Sequence, residues 1–149
     1  MIEEHLRASA AQIRATYIKK PILHQPFLKI TNNVAVAEIY IQGNVVFQKG
    51  GTSHYKSPIP KPKPKSEGGQ FEPAIDSRTN RLMDTDAEYK VLSAIADALE
   101  MHYDLQVEGE LYLYTERQPC ESCNNVLRQF EEKFPNIKIT VFWDYPYSP

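Results

Sequence analysis

The chain has only two cysteines, and they stand together in Pro119-Cys120-Glu121-Ser122-Cys123, directly after the apolar run Gly109-Glu110-Leu111-Tyr112-Leu113-Tyr114 and directly before a helical pattern. A strand-to-helix junction of this kind sets two thiolates on the first turn of a helix, where unpaired backbone N–H groups and the helix dipole favour anionic sulfur. Cysteines so close in sequence cannot staple a long loop, which excludes a disulfide-framed secreted fold and leaves a metal site or a redox pair. A thioredoxin-like redox helix comes early in its domain and is followed by further strands, whereas here only Asn124 to Pro149 follow. The redox reading therefore ranks below the metal one.

At 149 residues the chain is the size of one domain with one core. No apolar stretch approaches the roughly 20 residues that span a bilayer, and Met1-Ile2-Glu3-Glu4-His5 lacks the order of a signal peptide, so membrane insertion is not expected. A net charge of −2 means that any nucleic-acid binding must come from a local patch.

Ile2, Leu6, Ile13 and Tyr17, with alanines between them, predict a helix ending before Pro21, read as part of an N-terminal arm over residues 1–32. From Val34 the period changes: Val34 to Ile41, then Gln42-Gly43-Asn44, then Val45-Val46-Phe47 predict a hairpin. A Pro/Lys-rich loop over residues 56–70 follows, extended by its prolines. Its lysines Lys61, Lys63 and Lys65 could touch phosphates, although a solvated linker is the plainer reading. Asp84-Thr85-Asp86 offers capping oxygens to a helix whose stripe is Val91, Leu92, Ile95, Ala96 and Leu99. A strand over Leu111–Thr115, a helix from about Cys120 to Lys133 and a last strand over Ile137–Trp143 complete a β-β-α-β-α-β order, which implies an α/β fold with helices packed on a sheet.

In the last helix Cys120, Cys123, Leu127, Phe130 and Phe134 follow at steps of three or four, so both sulfurs continue the core-facing stripe. In the first of the two sheet helices Glu88 precedes Leu92, Ile95 and Leu99 on one stripe, aiming a carboxylate inward from the helix start. A buried acid is costly without a task. Two helix starts lying side by side would gather Asp86, Cys120 and Cys123 around one metal with Glu88 beside it, and zinc suits three protein ligands with one open position.

This arrangement resembles the zinc-dependent cytidine deaminase-like superfamily, whose signature is His-x-Glu followed by Pro-Cys-x-x-Cys on two successive helix starts. The second half is matched in full by Pro119 to Cys123, and the first reads Asp86-Ala87-Glu88, with aspartate where histidine is usual. The stretches Asn33–Ile39, Glu88–Ala96, Gly109–Glu116 and Phe130–Ile137 look like the toxin-deaminase group of bacterial polymorphic toxins.

The resemblance implies a three-layer sandwich with a mixed central sheet, forming a deaminase domain over residues 33–149. It implies Zn2+ held by Asp86, Cys120 and Cys123, with His54 as a substitute ligand, and Glu88 as general acid/base. It further implies hydrolytic replacement of an exocyclic amine, at C4 if the base is cytosine, in single-stranded DNA as first choice, with RNA or a free nucleotide as alternatives. Two thiolates and a carboxylate make the site one unit more negative than a histidine would, which weakens the metal as an acid. A monomeric, secreted or delivered toxin module acting in the target-cell cytoplasm, with a cognate immunity protein, is expected on the same ground.

Single strands are held by stacking and a few cations. Candidates are Tyr114, Arg117, Pro119, His54, Trp143 and Tyr145, while Tyr112 and Phe142 read as core. Two non-catalytic readings compete. A structural zinc module would need a fourth ligand, and His5, His24, His54 and His102 lack zinc-finger spacing. An interaction domain that keeps zinc only for stability would leave the inward Glu88 without a role.

Overall fold

The computed structural model describes residues 2–18, 33–54, 56–73, 86–117 and 121–145, apart from the side chains of residues 121–123. The sheet has four strands in the order β2-β1-β3-β4: β1 Val34–Ile41, β2 Asn44–Thr52, β3 Gly109–Arg117 and β4 Ile137–Tyr145. Helices α1 Ile2–Ile13, α2 Ala87–His102 and α3 Glu121–Lys133 pack on it. The hairpin turns at Gln42 and Gly43, whose φ values of 55° and 80° match a two-residue turn with positive φ at both central positions. β1 pairs antiparallel with both β2 and β3, and β3 pairs parallel with β4 across α3, so the sheet is mixed. No helix among the described residues is long and apolar enough to cross a membrane.

Strand alternation divides the core into two halves. Ala35, Ala37, Ile39, Leu111 and Leu113 face α2 and α3, where Leu92, Ile95, Leu99, Phe130 and Phe134 fill the main core. Val34, Val36 and Tyr114 face the other way and meet Leu6 and Ala10 of α1. This is a three-layer α/β/α arrangement, the sandwich that the resemblance implies. α1 continues as a π-helical turn over Arg14–Ile18, and Leu6, Ala10 and Arg14 are its buried residues.

Three local features differ from the expectations. First, Asp86 occupies the N-cap position of α2 without a side-chain capping bond, and Asp84 and Thr85 lie outside the described residues. Second, the Pro/Lys-rich loop is pinned rather than simply solvated. Tyr89 Oη donates to the Phe71 carbonyl at 3.0 Å, the Gln129 side-chain amide accepts from the Glu72 backbone N–H and donates to the Glu72 carbonyl, and Phe71 is buried against Phe130. Lys61, Lys63 and Lys65 point outward between half-buried prolines. An apolar residue ending a polar run is enough to anchor it, and Phe71 does so here. Third, Tyr112 and Phe142 do pack as core residues, but in the smaller core under α1, as a half-buried stacked pair with ring centroids 6.4 Å apart.

Candidate active site

The chain direction brings four element ends together at one edge of the sandwich. β1 begins there and β2, β3 and β4 end there, because Val34 pairs with Thr52, Ala35 with Thr115, and Arg117 with Tyr145. α3 starts four positions after β3 ends. Open α/β sheets bind ligands beyond the carboxyl ends of their parallel strands, where helix N-termini also converge.

Glu88 lies in the first turn of α2 and is 3 % exposed. It is on the inward stripe with Leu92, Ile95 and Leu99. Its Oε1 accepts from Asn33 Nδ2 at 2.5 Å and from Thr115 Oγ1 at 2.5 Å. Burial without such donors would be strongly unfavourable to a carboxylate. Asn33 immediately precedes β1, and its Oδ1 accepts the backbone N–H of Arg117 at 3.2 Å. Its own backbone joins the loop after β2, with N–H donating to Ser53 Oγ at 2.7 Å and C=O accepting from Ser53 N at 2.8 Å.

Lys90, two residues after Glu88, is also buried, and its Nζ donates to the carbonyls of Thr52 and His54 at 2.8 and 2.9 Å. It thereby clamps the segment that carries His54. His54 Nδ1 accepts the backbone N–H of Lys56 at 3.1 Å. That contact turns Nδ1 toward the backbone and leaves Nε2 as the ring's other polar atom.

Not all residues expected at the site face it. Thr115, Trp143, Arg117 and Tyr145 share the Glu88 face by alternation and parallel register. Trp143 and Tyr145 are 43 % and 37 % exposed on the edge strand. Tyr114 is on the opposite face, buried under α1, with Arg7 over its ring at 5.8 Å and its hydroxyl donating to Asp144 at 2.7 Å. Burial, then the bond to Asp144, raises its pKa. Asp86 is placed two residues before Glu88 at the mouth of α2. Among the described residues no group of three His, Cys, Asp or Glu side chains is placed to hold a metal, but Pro119, Cys120 and the Cys123 side chain lie outside them.

Sequence patterns alone did not single out Asn33, Thr115 or Lys90. Thr115 was within reach, since it keeps phase with the inward Leu111 and Leu113.

A mixed-sheet α/β sandwich with a buried glutamate opening the helix beside the β3 end has the architecture of the cytidine deaminase-like proteins. The chain belongs to the toxin-deaminase family, described as the BURPS668_1122 family of deaminases, whose model matches residues 18–144. No curated protein matches it. Membership makes it a deaminase toxin domain, with hydrolytic deamination as its general chemistry.

Proposed function

We propose that this chain is a zinc-dependent deaminase of cytosine in single-stranded nucleic acid, DNA in the first place, and the toxic domain of a secreted or delivered bacterial effector. The observation that carries the reading is Glu88, a buried carboxylate held by two neutral donors at the start of α2, close to where β3 leads into the Cys-x-x-Cys turn.

Asp86, Cys120 and Cys123 are the residues that would hold zinc. A carboxylate and two thiolates are donors this metal takes, and Asp86 opens α2 two residues before Glu88. The His54 ring, with Nδ1 engaged as an acceptor, fits a substrate-facing donor better than a ligand. When bound, zinc supplies the Lewis acidity that makes water a nucleophile at neutral pH.

Glu88 moves the protons. It accepts one as water adds to C4 of the base and passes it to the neighbouring ring nitrogen, then takes the proton of the new C4 hydroxyl and delivers it to the departing amine. The C4–N bond breaks, a C4 carbonyl forms, and ammonia leaves, so cytosine becomes uracil. Trp143 and Tyr145 offer exposed rings for flanking bases, and Arg117 a cation for the backbone between them. Tyr114, engaged by α1, is not among these groups. A cognate immunity protein would cover the same edge.

The test is to incubate the purified chain with single-stranded DNA and RNA oligonucleotides containing every base, and with free nucleotides, and then sequence or separate the products. C-to-U conversion in DNA is the expected result. Conversion only in RNA or only of nucleotides would reassign the substrate. No conversion by zinc-loaded protein, or toxicity unchanged in Glu88→Ala, would favour a non-catalytic interaction domain.

A further inference from the structure

Three hydrogen bonds close a triangle where β1 begins and β3 ends. Asn33 Nδ2 gives one proton to Glu88 Oε1 at 2.5 Å and the other to Thr115 Oγ1 at 2.7 Å, and the Thr115 hydroxyl donates its proton to the same Glu88 Oε1 at 2.5 Å. The proton count closes in one way, because the Arg117 N–H on Asn33 Oδ1 fixes which end of the amide is nitrogen. Both donors end on Oε1, which is therefore an acceptor twice over. One oxygen of the carboxylate is tied from two sides.

We infer that Asn33 and Thr115 are positioning residues for deamination: by holding Oε1 they set the plane of the Glu88 carboxylate and the direction in which its second oxygen meets the reacting base. The inference rests on Glu88 as the proton carrier proposed above.

The physical need is plain. A glutamate has three side-chain torsions, proton transfer requires heavy atoms within about 2.6–3.2 Å, and small misplacements are costly in rate. The helix sets only the Cα–Cβ direction of Glu88. Its other end is set by Thr115 of β3 and by Asn33, the residue just before β1, neither belonging to the Asp-x-Glu or Pro-Cys-x-x-Cys pattern. Asn33 also joins this point to Ser53 and to Arg117, so the loop carrying His54 and the strand leading to the cysteines share one register with Glu88.

The test compares Thr115→Val, which removes the hydroxyl and keeps the shape, with Thr115→Ser, which keeps the hydroxyl, alongside Asn33→Ala and Glu88→Gln. Kcat, KM, bound zinc and melting temperature are measured for each. Thr115→Val and Asn33→Ala are expected to lower kcat about 10- to 100-fold, the usual size for lost orienting partners. KM and zinc content should stay at wild-type values, and Thr115→Ser should recover most of the rate.

Full kcat in both Thr115→Val and Asn33→Ala would overturn the inference, as would a Thr115→Ser variant as slow as Thr115→Val. Loss of zinc in step with the loss of rate would assign the pair a structural role and overturn it as well. Glu88→Gln separates the two levels. If it is as active as wild type, the reading of Glu88 fails. If it is inactive while both partner variants run at full speed, only the positioning assignment fails.

Discussion

Arg14, in the turn that ends α1, and Glu116, near the end of β3, form a bidentate ion pair with Nε–Oε2 and Nη2–Oε1 distances of 2.8 and 2.6 Å. Both side chains are under a tenth exposed, and Glu116 Oε1 also accepts the Val34 N–H at 3.1 Å. Glu116 is next to Thr115 in sequence and points to the opposite face. One strand end therefore holds α1 on one side and the Glu88 cluster on the other.

Removing one partner of this pair leaves a buried charge uncompensated, which typically costs about 3–5 kcal/mol. Arg14→Met and Glu116→Leu are each expected to destabilise by that order in urea unfolding. The double variant Arg14→Met/Glu116→Leu should recover much of the loss, since a buried pair can be replaced by apolar residues at little cost. A double variant as unstable as the sum of the singles would show that the pair does not act as a unit.

A second ion pair holds the middle of α1 and differs in kind. Arg7 Nε and Nη2 bond Asp144 at 2.7 and 2.8 Å, but Arg7 is 40 % exposed. The bond to Arg7, reinforced by that from Tyr114 and opposed by burial, lowers the Asp144 pKa. A depressed carboxylate contributes stability above its unfolded value, near pH 4, and loses it as pH falls through the folded value. Asp144→Asn should therefore cost roughly 0.5–1 kcal/mol from pH 5 to 8, the scale of a solvent-screened pair. The difference should vanish toward pH 2. Tyr114 works in the other sense: its raised pKa contributes below about pH 10 and is lost on further alkalinisation.

These pairs show where sequence reading reaches and where it stops. The hairpin, the apolar stripe of α2 and the inward Glu88 follow from local period, because each neighbour that matters lies within four residues. Asn33 and Glu88 are 55 residues apart, Asn33 and Thr115 are 82, and Arg14 and Glu116 are 102. Such contacts depend on strand order and register, which no local pattern encodes. A stripe also counts apolar residues, so Arg14 closing the buried side of α1, or Lys90 inside α2, reads as solvent-facing when it is not. The Phe71 anchor of the Pro/Lys-rich loop escaped for a similar reason, being a single apolar residue in a polar setting.

Trp143 is the exposed ring nearest in register to Thr115, on an edge strand that leaves it open to solvent. Stacking of a base on an aromatic ring is worth about 1–3 kcal/mol. Trp143→Ala is expected to weaken binding to single-stranded oligonucleotides by that amount in fluorescence anisotropy and to raise KM accordingly. Its melting temperature should barely move, because the ring fills little core. Trp143→Phe should keep part of the affinity. Unchanged affinity in Trp143→Ala would remove this residue from the binding surface.

The proposed zinc site is tested by comparing Asp86 with His54 as its third ligand. Asp86 precedes Glu88 by two positions at the start of α2. His54 instead has Nδ1 on the Lys56 N–H. Asp86→Ala is expected to lose bound zinc, and His54→Ala to keep it at one ion per chain, by atomic emission. Asp86→His should also keep the metal, since imidazole is a usual zinc donor and the site becomes one unit less negative. A ligand that binds only the folded chain stabilises by about 2.7 kcal/mol at a hundred times its Kd. Chelation should accordingly lower the melting temperature of wild type, His54→Ala and Asp86→His, and leave that of Asp86→Ala and Cys123→Ala unchanged. A His54→Ala protein that loses zinc while Asp86→Ala retains it would reverse the assignment, and it would require the His54 ring to release Lys56 on metal binding.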